Sequence, residues 1–249
     1  MGDWCSPGGP SRQRFFAHLG LFSLSLSPSL NRLAPSQAAV CENVNLYVEK
    51  NEEEFKPFLP AFATDVWNLL LKVGCEQSKD RLVTSALRFL TTVAKSVHAD
   101  LFSDPDILKR ICENVVIPNL YVRDEDEEQF ESNYVEYIRR DLEGSDTETR
   151  RRTACELVKA LTAKFPTLVT QIVGGYVQVL LQQYAANPAS SWKQKDCAVY
   201  LVVALVVRGK TAALVRGMVG VRQKIPPHRE GDACFFFFLR FVRGGEWPR

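Results

Sequence analysis

The run SKDRLVTSALRFLTTVAKSV, residues 78–97, decides the fold. Leu82, Val83, Ala86, Leu87, Leu90, Val93, Ala94 and Val97 recur three and four positions apart, which gathers them on one face of an α-helix. A helix with one apolar face must bury that face against another element. The stretches on either side have the same character. Upstream, Leu59, Phe62, Val66, Leu69, Leu70 and Val73 form a second helical stripe, with Gly74 as its stop. Downstream, Asp104 is an N-cap followed by Pro105 at the first helical position, where the missing N–H has no helical partner to lose. The helix so begun carries Ile107, Leu108, Ile111, Cys112, Val115 and Val116.

Three further helices follow from the same reading. Ser145 and Glu148 stand at capping-box spacing and predict a helix with the face Ala154, Leu157, Val158, Leu161 and Phe165. Another runs from Pro166 through Val169, Ile172, Val173, Tyr176, Val177, Leu180 and Leu181 and stops before Asn187-Pro188. The last, residues 191–208, contains the eleven apolar residues 197–207, too few to span a bilayer. Its valines would suit a strand, but the sequence holds no second strand to pair with it, so a largely covered helix is expected. The helices pair as 59–74 with 78–98, 105–121 with 146–165, and 166–187 with 191–208. A recurrence of about 40 residues is the spacing of HEAT-type repeats. The predicted fold is all-α, an α-α superhelix of the HEAT/armadillo type with about three helix pairs and an acidic insertion.

The charge is unevenly spread. A net +2 over the 249 residues divides into +2 for residues 1–40, −5 for 41–208 and +5 for 209–249. An acidic middle between two basic ends predicts three regions: 41–208 as the folded solenoid, with 1–40 and 209–249 as disordered or aberrant ends. Arg12 and Arg14 before the apolar residues 15–26, with Ser36-Gln37-Ala38 after them, loosely imitate a signal peptide. His18, Gly20 and the serines dilute that run, and secretion is not expected.

Catalytic and metal chemistry find no foothold. Cys5, Cys41, Cys75, Cys112, Cys155, Cys197 and Cys234 are scattered with no C-x-x-C pair, and His18, His98 and His228 lie far apart. Reduced, mostly buried thiols and the absence of an Asn-x-Ser/Thr acceptor suit the cytosol or nucleus. Gly209-Lys210-Thr211 invites a phosphate-loop reading, but the glycine required five residues before the Gly-Lys is Ala204. Arg150-Arg151-Arg152 could touch phosphates, yet beside so acidic a stretch a charge-paired helix face is the better reading. No enzyme activity, cofactor or metal, nucleic acid, membrane insertion or small-molecule substrate is expected.

The interruption of the repeat is more informative. Residues 121–150 hold eleven acids against four arginines, more than a third of the chain's 29 acids. A run of charge is ordinarily a solvated face. Here aromatics at Phe130, Tyr134 and Tyr137 recur at helical spacing, as an anchored segment requires.

The stretch YIRRDLEGSDTETRRR, residues 137–152, resembles the importin-α re-exporter family, also called the exportin-2 or cellular apoptosis susceptibility family, of the importin-β (karyopherin) superfamily. Glu54-Phe55, Leu59-Pro60, Trp67-Asn68-Leu69-Leu70, Val116-Ile117-Pro118-Asn119, Asn187-Pro188, Trp192-Lys193, Lys195-Asp196 and Tyr200-Leu201-Val202 support the resemblance, in order, over about residues 41–208. It implies a central piece of a long HEAT superhelix that binds Ran-GTP and importin-α and moves between nucleus and cytoplasm. It further implies that the insertion, residues 124–146, contacts Ran. The expected contact set is Asp124, Glu125, Asp126, Glu127, Glu128, Glu131, Glu136, Asp141 and Glu143, with Arg139 and Arg140 fixing its orientation. The competing expectation is a truncated, inert fragment or scaffold without transport activity.

Overall fold

The computed structural model describes residues 30–139, 148–188 and 190–205. Every regular element among the described residues is helical. They fall into two compact units divided between Thr92 and Val93.

The first unit begins with α1 (Leu30–Lys50), a short α2 (Glu52–Phe55) and α3 (Leu59–Lys72), and a 3-10 turn, Gln77–Lys79, leads into α4 (Asp80–Lys95). Leu30 lies well upstream of the boundary expected at residue 41. Ala34 and Ala38 of α1 are buried with Leu69 of α3 and Leu82 of α4 in one core cluster. Cys41, Asn45 and Val48 continue the stripe at helical spacing and are buried as well. The stripe opens on Ala34 and Ala38, small side chains that carry little hydropathy, and Pro35 inside the helix reads as a break. Edge-on rings join three helices: Phe62 of α3 stands 6.1 Å from Phe55 of α2 and 5.1 Å from Phe89 of α4. At the rim, Arg81 of α4 donates from Nε (3.0 Å) and Nη2 (2.9 Å) to the two carboxylate oxygens of Glu42 on α1. That fork holds the Glu42 carboxyl below its usual range, against the opposing effect of partial burial.

The tail of α4 departs from expectation. The helix ends at Lys95, so Val97, assigned from its spacing to the buried face, lies past the end and is 69% exposed.

In the second unit, α5 (Pro105–Ile111), a single π-helical turn (Cys112–Val116) and α6 (Ile117–Leu120) make one continuous rod. Asp104 caps it as its residue type predicts, its Oδ1 accepting from the Asp106 N–H at 2.9 Å. The wide turn has a cause in Pro118, which has no N–H for the carbonyl four residues back and whose ring would press on it. Next come α7 (Asp124–Ser132) and α8 (Tyr134–Arg139), then α9 (Arg150–Lys164), α10 (Pro166–Ala186) and α11 (Trp192–Leu205). Helices α9, α10 and α11 pack on one another, α9 also meets α6 and the π turn, and α10 meets α5. Leu108, Ile111, Leu120, Leu157, Leu161, Leu201 and Leu205 are the large, fully buried side chains of this core.

The start of α9 corrects the capping-box assignment. Thr149 is the N-cap, with extended backbone and its Oγ1 accepting from the Arg152 N–H at 3.1 Å, and Glu148 precedes the helix. Thr149 is itself a good cap, its hydroxyl satisfying one of the first free N–H groups of the helix. Ser145 lies outside the described residues.

At the described positions Cys41, Cys112, Cys155 and Cys197 are buried, Cys75 is exposed, and all five are free thiols. Burial, aided by neighbouring acidic charge, pushes the Cys41 and Cys112 thiols up to about 12. No helix among the described residues is long and apolar enough to cross a membrane.

Candidate protein-binding surface

The described part of the acidic stretch is helical over Asp124–Ser132 and Tyr134–Arg139, and its acids do different jobs. Four of them, Asp124, Glu125, Asp126 and Glu127, form the first turn of α7, where the positive end of the helix dipole favours negative charge. Asp126 faces inward. Its Oδ2 accepts from the Arg123 backbone N–H (3.1 Å) and Nε (2.8 Å), and its Oδ1 accepts from Arg123 Nη2 (3.0 Å). Burial alone would raise this carboxyl, but the Arg123 hydrogen bonds and charge outweigh it and hold it below its ordinary value. Asp126 is therefore a capping residue and not part of an open acidic face.

A group whose folded-state pKa is lowered stabilises the fold above its unfolded value and loses that contribution as pH falls. Against Asp126→Asn, the stability difference is expected to hold steady from neutral pH to near 3.8, the ordinary carboxyl value, and to shrink below it. Urea titrations of both chains at several pH values read this directly. A difference unchanged at about pH 3 would remove the carboxylate from the cap.

Among the described residues, Lys193 and Arg151 both tie the insertion to the later helices. Lys193, near the start of α11, reaches Asp124 at 2.8 Å and Glu127 at 3.3 Å. The second is buried. Phe130 of α7 meets Tyr137 of α8 edge-on at 5.5 Å, and the Tyr137 hydroxyl accepts from Arg151 Nη1 at 2.8 Å. Arg151 Nη2 also donates to Asp196 Oδ2 of α11. The guanidinium carbon stands 3.8 Å from the centre of the Tyr200 ring. Arg151 is 5% exposed and Asp196 7%.

With these ties made, Glu125, Glu128, Glu131 and Glu136 are exposed and enter no ion pair among the described residues. Of the remaining predicted contacts, Asp124 and Glu127 are ion-paired to Lys193. Arg139 is the last residue of α8, while Arg140, Asp141 and Glu143 lie outside the described residues. The residue reading overlooked Arg151 and Asp196 as a pair. The available signal was Asp196, one carboxylate at the edge of the apolar run 197–207, where a buried acid needs a cation. Among the described residues no group of three or more His, Cys, Asp or Glu side chains is placed to hold a metal ion.

Amphipathic helices packed in succession, with an acidic helical insertion pinned onto them, define a helical-repeat protein of the HEAT type. The Cse1 family model matches residues 23–225, and the chain belongs to the Cse1 family. That match runs past the expected boundaries at 41 and 208 on both sides. Among curated relatives, Exportin-2 of Xenopus laevis is 50% identical over 176 residues, covering 70% of this chain and 18% of its own length. Exportin-2 of Drosophila melanogaster is 51% identical over 176 residues with the same coverage. A solved structure of the exportin Cse1 in its cargo-free, cytoplasmic state superposes with a TM-score of 0.75 at 33% identity, covering 80% of this chain and 23% of that one. The chain thus spans about a fifth of the length of these relatives.

Proposed function

We propose that the chain is the central part of a nuclear export receptor that shuttles between nucleus and cytoplasm and binds Ran-GTP and importin-α without catalysing a reaction. The acidic insertion is its Ran-facing element. The observation that carries this reading is the group Glu125, Glu128, Glu131 and Glu136, left exposed on a segment held at Asp124 by Lys193 and at Tyr137 by Arg151. Exposed charge pairs contribute about 0.2–1 kcal/mol each, so no single acid decides binding. Together they accelerate encounter with a basic surface and make it sensitive to salt. Arg139, Arg140, Asp141 and Glu143 extend the same surface in this proposal.

The test uses a full-length family member carrying this insertion, with Glu125, Glu128, Glu131 and Glu136 changed to Gln and Asp126 retained. Association with Ran-GTP is expected to slow by roughly 3- to 10-fold at low salt and to lose much of its salt dependence. An unchanged rate and salt slope would reduce the acids to a solvated face. A second reading, an inert scaffold fragment, draws on the chain's coverage of 18% of its relatives. It predicts that the 249-residue chain fails to capture Ran-GTP while the full-length protein succeeds.

A further inference from the structure

We infer that Arg151 is a positioning residue for the acidic insertion: held by Asp196 and stacked on Tyr200, it fixes α7 and α8 on the α9–α11 pair through the Tyr137 hydroxyl. Tyr137 is the buried one among the described side chains of α8, where Tyr134, Val135 and Glu136 are all exposed. Among the described side chains of α8, Tyr137 makes the buried contact, while the exposed Tyr134 ring stands 6.3 Å from Phe130. The Tyr137 ring is supported by Phe130 of α7, so a clamp on Tyr137 also restrains the acidic helix. The other tie is weaker in kind. Asp124, its closest acid, has a side chain 92% exposed, and solvent and salt screen such a pair. The guanidinium, by contrast, is buried and oriented by two groups of α11, the Asp196 carboxylate and the Tyr200 ring. A planar donor fixed in this way gives the hydroxyl of Tyr137 one place to dock.

This role rests on the proposed docking surface only for its use, and it is tested with no partner present. Tyr137→Phe deletes the accepting hydroxyl and keeps the ring against Phe130. Hydrogen exchange of the full 249-residue chain compares peptides from residues 124–137 with peptides from residues 153–162 of α9. Losing a hydrogen bond to a charged group should speed exchange in the insertion roughly ten-fold and leave α9 unchanged. Equal exchange in both chains overturns the inference. So does faster exchange in α9 as well, because the contact would then support the whole unit. Insertion peptides already unprotected in the parent chain would show that nothing clamps them. A slow on-rate for Ran-GTP in the Gln variant alongside unchanged exchange in Tyr137→Phe would keep the docking surface and discard the clamp.

Discussion

Arg151→Ala is expected to cost the fold about 3–5 kcal/mol, the usual consequence of removing one member of a buried ion pair. Asp196, 7% exposed in the folded chain, would lose the Arg151 guanidinium that its carboxylate accepts from. Tyr137 would lose its donor and the Tyr200 ring its stacked guanidinium in the same step. Urea unfolding followed by far-ultraviolet circular dichroism measures the loss. The control is the double replacement Arg151→Met with Asp196→Leu, which removes both charges and keeps apolar volume. Such swaps are often neutral, so the double variant should recover most of the deficit. A single variant as stable as the parent would mean that the pair contributes nothing. A double variant as unstable as the single one would shift the explanation from charge to packing.

Phe89→Ala is expected to cost a comparable ~3–5 kcal/mol, through a different mechanism. Phe89 is fully buried on α4 and its ring stands edge-on to Phe62 at 5.1 Å. Truncation removes the transfer free energy of a ring and leaves a cavity that two rigid helices close only in part. Phe58, at the half-buried end of the same row of rings and 6.3 Å from Phe55, provides the comparison. Phe58→Ala should cost clearly less in the same urea titration, and equal losses would show that burial is not what sets the effect.

Much of this fold can be read without coordinates because its helices are amphipathic in a simple way. The faces of α3, α9 and the greater part of α4 follow directly from spacings of three and four. Reading fails where the physics is not hydropathy. Helix α1 buries Ala34, Ala38 and Cys41, side chains valued for their smallness, and periodicity weighted by apolar size passes over them. Two plausible caps lie four residues apart at 145 and 149, and sequence alone does not say which one terminates the connection. The acidic segment was visible as charge, but the division of labour within it was not. Asp126 turns inward to Arg123 while Glu125 and Glu128 stay in solvent, a difference set by the helical rotation between neighbours. Arg151 looked like one of three surface arginines because its partners, Tyr137 and Asp196, are 14 and 45 residues away in sequence.

The π-helical turn at Cys112–Val116 bears on how this stretch can vary in length. A wide turn is equivalent to one extra residue spliced into a helix, and each residue added or removed rotates everything beyond it by about 100°. The core positions Leu108 and Ile111 precede the turn and Leu120 follows it, yet all three are buried. The rod therefore carries a phase correction at its centre. A one-residue deletion between 112 and 116, harmless in a surface loop, would swing Leu120 out of the core, whereas losing that residue together with the ring of Pro118 could let an unbroken α-helix take its place. Gaps in related sequences should accordingly avoid this turn, or coincide with replacement of the proline.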